Sequence, residues 1–107
     1  MKQLKGSERT YLRGLAHHLK PVVIVGEQGI TDKLIQATNE ALDLHELIKV
    51  KFNSFKEQKK ALAQEIEERT QSEMVGMIGH IAMFYRQQPD PKKRSIQLPK
   101  RSQEEAA

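Results

Sequence analysis

Leu12, Leu15, Ala16 and Leu19 recur at helical spacing near the start of the chain, so one stripe of a first helix is apolar. Ser7 offers a capping oxygen and Glu8 a first-turn acid where that helix begins, and Pro21 ends it. Val22 to Val25 is a β-branched run without alternation, which predicts a strand buried on both faces, inside a sheet. Gly26-Glu27-Gln28-Gly29 turns the chain into a second helix, capped by Thr31 and carrying Leu34, Ile35, Thr38, Leu42 and His45 along one stripe. From Leu47 to Phe52 the period changes to two, committing Ile48, Val50 and Phe52 to a core and Lys49 and Lys51 to the opposite face. Ser54 and Glu57 have the spacing of a capping box for a third helix, with Leu62 and Ile66 inward and a Glu65–Arg69 pair outward. Glu73 to Met77 and His80 to Tyr85 then form two short strands. The order helix-strand-helix-strand-helix-strand-strand predicts an α+β fold built in α/β layers. No internal repeat is visible.

Beyond Arg86, the pattern fails. Pro89, Pro91 and Pro99 stand among scattered charges, which predicts an extended, flexible tail over residues 87–107 behind a folded unit of residues 1–86. Lys92, Lys93, Arg94, Lys100 and Arg101 outnumber Asp90, Glu104 and Glu105 there, so the tail contributes 5 − 3 = +2 of the chain's net charge of +4. That basic balance favours an acidic partner such as nucleic acid.

A length of 107 residues fits one domain with one modest core and leaves no room for a cleft between catalytic domains. The absence of cysteine removes disulfides, thiolate metal sites and thiol nucleophiles, and suits a reducing, cytoplasmic setting. Neither a secretory leader nor a membrane span is expected. His17 and His18 point about 100° apart on a helix and cannot clamp one ion as i, i+4 neighbours do, so no metal or other cofactor is expected. No nucleophile elbow or Walker loop occurs, and the acids Glu65, Glu67 and Glu68 fit a solvated helix face, so the chain does not look like an enzyme.

Two glycine-framed segments remain. The Gly26–Gly29 segment has two accounts, a tight strand-to-helix turn or a backbone cradle for phosphate, with Glu27 and Asp32 opposing an anion. Gly76 and Gly79 frame Met77-Ile78 inside a run that otherwise looks like strand. Either the pair tucks into the core at a kink, or it stands on a loop where missing Cβ atoms admit a ligand backbone.

Three segments in order, Leu12 to Ile35, His45 to Phe52 and Val75 to Arg86, resemble the CRM domain, named for chloroplast RNA splicing and ribosome maturation, and in particular its stand-alone bacterial YhbY-like members. The basic KKRSIQLPK of the tail is similar as well. This resemblance covers residues 4 to 86 and implies a four-stranded mixed sheet like the C-terminal domain of translation initiation factor three, preceded by an extra helix. It also implies binding of structured RNA, namely precursor ribosomal RNA within the large-subunit precursor particle, and not of DNA. By the same resemblance Gly76, Met77, Ile78 and Gly79 would be an RNA-contact loop between the last two strands, with His80 beside it and Arg86 closing the strand. The family places a basic residue beside that loop, whereas this chain has only His80, so attraction to phosphate must come from elsewhere. Candidates are Lys49 and Lys51 on the open strand face, Lys2 and Lys5 before helix one, Arg9 and Arg13 on it, Lys20 at its end, and Lys92, Lys93 and Arg94 in the tail. The alternative is an adaptor that docks on a ribosomal protein or assembly factor through helix one or helix three.

Overall fold

The computed structural model describes residues 3–99. Its elements are α1 (Gly6–Ala16), β1 (Val23–Val25), α2 (Asp32–His45), β2 (Leu47–Phe52), α3 (Lys59–Thr70), β3 (Glu73–Ile78) and β4 (Ile81–Tyr85), with single 3₁₀ turns at Lys56–Gln58 and Pro91–Lys93. The strands form one sheet in the order β1-β2-β4-β3. Its β1 and β2 are parallel, joined by the α2 crossover, while β4 runs antiparallel to both of its neighbours.

Period-two alternation gives each strand two faces, and the chain covers them unequally. Val25, Ile48, Val50, Phe52 and Phe84 pack with Leu42 of α2 and Ile66 of α3 into the larger core. On the reverse face Leu47, Val75, Met83 and Tyr85 meet Leu12 and Ala16 of α1. As the alternation of β2 requires, Lys51 is exposed and Lys49 half-buried on that second face. Thr31 caps α2, its side chain accepting the Leu34 N–H at 3.0 Å.

Several local expectations change. Strand β1 is an edge strand and alternates: Val23 and Val25 are buried, but Val22 and Ile24 are more than half exposed, because α1 does not reach that edge. Helix α1 begins one residue before Ser7, and Lys5 holds the cap position, its N–H donating to Glu8 Oε1 at 2.8 Å. The Ser54–Glu57 capping box does not form: Ser54 N–H donates to Val25 O, Phe55 turns left-handed (φ 56°), and α3 starts only at Lys59.

The largest difference lies after Arg86. Residues 87–99 do not trail away but fold back over the second core, where Ile96 and Leu98 pack. Glu46 holds them. Its carboxylate, on a residue 1% exposed, accepts the backbone N–H groups of Gln88 (2.9 Å), Ser95 (2.7 Å) and Ile96 (3.0 Å) and the Ser95 hydroxyl (3.2 Å). A carboxylate has lone pairs enough for several donors, so one buried acid takes three backbone N–H groups of an irregular segment. Lys2, Lys100 and Arg101 lie outside the described residues.

Candidate nucleic-acid interface

Three connections meet at one end of the sheet, where β1 and β2 finish and β3 turns into β4. Asn53 and Ser54 N–H groups both donate to Val25 O (3.0 and 3.2 Å), holding the start of the β2–α3 connection against the Gly26–Gly29 turn. The Phe52 N–H donates to His80 O at 2.8 Å, tying the β3–β4 hairpin to β2. Gly29 has φ 71°, and a Cβ there would lie 3.5 Å from the ring of Phe55. The turn needs glycine for its backbone and offers Phe55 a flat place to rest.

The hairpin is tighter than a four-residue glycine-framed loop. Ile78 pairs with Ile81, so Gly79 and His80 alone make the turn, and Gly79 with φ 60° occupies the first central position that a type II′ turn reserves for glycine. Gly76 and Met77 belong to β3. A Cβ on Gly76 would sit 2.7 Å from Cδ of Arg13, so this glycine makes room for the α1 arginine that lies across the strand. Next to it Val75 is an extra residue, the bulge of the β3–β4 ladder. Met77 packs against the larger core, whereas Ile78 is 70% exposed. The pair therefore divides, one side chain inward and one outward, as strand alternation demands.

Charge reaches the hairpin from α3. Lys59 Nζ donates to Gly79 O at 2.6 Å and lies 3.3 Å from His80 Nδ1. Desolvation first, then the ammonium groups of Lys59 and Lys56, holds the His80 imidazole below its ordinary 6.5, so it is neutral at pH 7 and accepts from Lys59. The missing basic residue beside the turn is thus supplied from 21 positions earlier in the chain. Lys51 faces the same end, opposite Ile24 on β1 and Ile81 on β4, with Ile78 beyond, so an exposed basic and apolar row crosses the open face of the sheet. Of the acids nearby, Asp32 pairs with Arg69 at 2.7 Å, and Glu27 is exposed on its turn.

The other candidates separate from this end. Arg86, expected to meet RNA, is a strut: its guanidinium donates to Asn39 Oδ1, Thr70 O, Asn39 O and Asp43 Oδ1 within 3.0 Å, joining α2, α3 and β4. Arg9 pairs with Glu73 at 2.7 Å, and Arg13 donates to Val75 O at 2.8 Å, so both anchor α1 on β3. Lys49 Nζ donates to Leu19 O at 2.9 Å, fastening the chain beside exposed Lys20. Arg94 donates to Gln88 O, and Lys92 and Lys93 project from the last 3₁₀ turn, by the Tyr85 end of the sheet. With about 3.4 Å of rise per residue, the five-residue length of the β2–β4 ladder keeps Arg86, Lys92, Lys93 and Arg94 well away from Lys51, whereas Lys49 lies two residues from it on the same face. Sequence reasoning missed Phe55, Lys56 and Lys59. The sole signal was the basic run Lys56, Lys59, Lys60 at a helix start, where the dipole disfavours cations.

Among the described residues no group of His, Asp and Glu is arranged to hold a metal ion, and no helix is long and apolar enough to cross a membrane. The model of the CRS1 / YhbY (CRM) domain matches residues 4–86. A Haemophilus influenzae protein named "RNA-binding protein" is 39% identical over 102 residues, spanning 94% of this chain and 100% of the relative. A Bacillus subtilis protein named "Probable RNA-binding protein YqeI" is 35% identical over 97 residues, spanning 90% and 99%. The solution structure of a Staphylococcus aureus protein superposes with a TM-score of 0.76 at 37% identity, over 91% of this chain and 100% of that one.

Proposed function

The chain belongs to the CRS1 / YhbY (CRM) domain family, and from that membership we propose that it is an RNA-binding protein that performs no chemistry on its ligand. Its RNA is structured, and the family resemblance favours precursor ribosomal RNA during assembly of the large subunit, in the cytoplasm. The observation that carries this reading is the convergence at one sheet end of Lys51, Lys56 and Lys59 with the exposed side chains of Ile24, Phe55 and Ile78 and the Gly79–His80 turn. Ammonium groups neutralise phosphates, a turn without a Cβ lets a ribose-phosphate backbone approach, and Phe55 presents a face for an unpaired base. Recognition of shape and backbone fits better than sheet-face base stacking, since the chain has no tryptophan.

The side chains of Lys51 and Lys56 are exposed and hold no hydrogen bond or ion pair among the described residues, so reversing them tests contact without breaking the fold. Lys51→Glu/Lys56→Glu should keep the circular dichroism of the parent. Two lost phosphate contacts should lower the log-log salt slope of binding to a large-subunit rRNA fragment by about 1.8. Lys92→Glu/Lys93→Glu, at the other end, should change it less. An unchanged slope in the first variant, or a larger change in the second, rejects this placement.

A further inference from the structure

Helix α1 carries a second apolar stripe. Leu12 and Ala16 are fully buried, but Tyr11 and Leu15, spaced at i and i+4, are each about two-fifths exposed, as is Leu19 just past the helix end. Leu44 of α2, 75% exposed, Val22, 53% exposed, and half-buried Ile96 of the docked C-terminal segment complete the walls of a groove of about 700 Å³. Leu47 and Ile48, at the start of β2, line it as well, whereas the RNA-facing end lies beyond Lys51. Contiguous exposed aliphatic surface of this kind is costly in water and marks an interaction site.

We propose that this groove docks an amphipathic helix of a partner protein whose apolar face is flanked by acidic side chains. Charge identifies the occupant. Among the described residues that line the groove, Lys20 brings a positive charge and no carboxylate contributes, so a complementary rim is acidic. A second copy fits poorly: in a two-fold contact the same patch meets itself, which sets Lys20 against its equivalent with no counter-charge. RNA fits less well, since bases stack on aromatic rings and guanidinium planes, and these walls are mainly aliphatic, with Tyr11 and His45 as their rings and no arginine. Residues 100–107, KRSQEEAA, hold no large apolar side chain. An aliphatic trough instead suits leucines at i, i+3, i+4 and i+7 of a docked helix.

The test uses the full chain and two synthetic helical peptides with leucines at those positions, one with flanking glutamates and its twin with lysines. The glutamate peptide should bind at least about tenfold more tightly, and more weakly as salt rises. Its binding should shift the amide resonances of Leu15, Leu44 and Ile96. Leu44→Asp, at a position too exposed to affect folding, should abolish that binding and leave RNA affinity within about twofold. Equal affinity for the two peptides, no binding of either, or binding indifferent to Leu44→Asp overturns the proposal. Mass doubling of the free chain that Leu44→Asp reverses would assign the groove to a second copy, and loss of RNA binding in that variant would assign it to RNA; each also overturns it.

Discussion

Gly76→Ala separates a glycine that serves the fold from one that serves a ligand. The new Cβ would stand 2.7 Å from Cδ and 3.1 Å from Cγ of Arg13, with Met83 Cε closing the other side at 3.2 Å. Gly76 has no positive φ, so alanine meets no backbone penalty and the cost is steric. Arg13 must swing aside and give up its 2.8 Å hydrogen bond to Val75 O. A hydrogen bond from a charged donor contributes about 1.5–3 kcal/mol, and the low end applies because Arg13 is exposed. The reduced freedom of alanine in the unfolded chain returns about 0.4–1 kcal/mol. A net loss of about 1 kcal/mol is expected. Chemical denaturation of the parent, Gly76→Ala, Arg13→Ala and the double variant measures it as a cycle. With Arg13 truncated the Cβ has space, so Gly76→Ala should there be neutral or slightly stabilising, giving a coupling of about 1 kcal/mol or more between the two sites. Additive effects would refute the steric account. If Gly76→Ala instead left stability untouched and sharply weakened RNA binding, the glycine would belong to the ligand after all.

Glu46→Gln places an amide N–H₂ against a backbone N–H now served by a carboxylate oxygen, so amide exchange at Gln88, Ser95 and Ile96 should accelerate at least about tenfold; unchanged exchange would mean that Glu46 does not hold the segment. Desolvation, then the Glu46 carboxylate, pushes the buried Tyr85 phenol up to about 12 from 10.0. Between those values the unfolded chain releases a proton that the folded chain keeps, so stability falls as pH rises through the window, by about 3 kcal/mol at most. The Tyr85 hydroxyl has no hydrogen-bond partner among the described residues, so Tyr85→Phe should lose this alkaline sensitivity and be no less stable at pH 7; a loss above about 1 kcal/mol there would show a partner. Met77→Ser should cost about 2 kcal/mol and Ile78→Ser under about 1 kcal/mol in thermal denaturation, and equal losses would contradict the division of that pair between core and surface. Because His80 is held below its ordinary 6.5, any rise in RNA affinity from its protonation should come only below that pH, and a rise that persists in His80→Asn would exclude it as the source.

Local pattern determined the elements. Alternation from Leu47 to Phe52 assigned both faces of β2 correctly, and the Thr31 cap sits where side-chain chemistry put it, because each depends on neighbours within a few residues. The motif resemblance likewise specified the four-stranded mixed sheet. Pattern could not show which strand lies at an edge: four β-branched residues look alike in the centre of a sheet and at a border that α1 leaves open. Nor could it weigh a capping box against the pull of Val25 O on Ser54, a contact between residues 29 positions apart. The C-terminal segment looked disordered because its own side chains cannot build a core; it is ordered by Glu46, whose buried carboxylate supplies from outside what the segment lacks. The site followed the same rule. The outward face of Lys51 was legible from alternation and the loop position of Gly79 only from the family resemblance, whereas the contacts of Gly76 and Arg86 are fixed by α1, α2 and α3 arriving beside them. The positive charge beside the turn comes from Lys59, distant in sequence, because only the folded sheet brings the start of α3 against the β3–β4 hairpin.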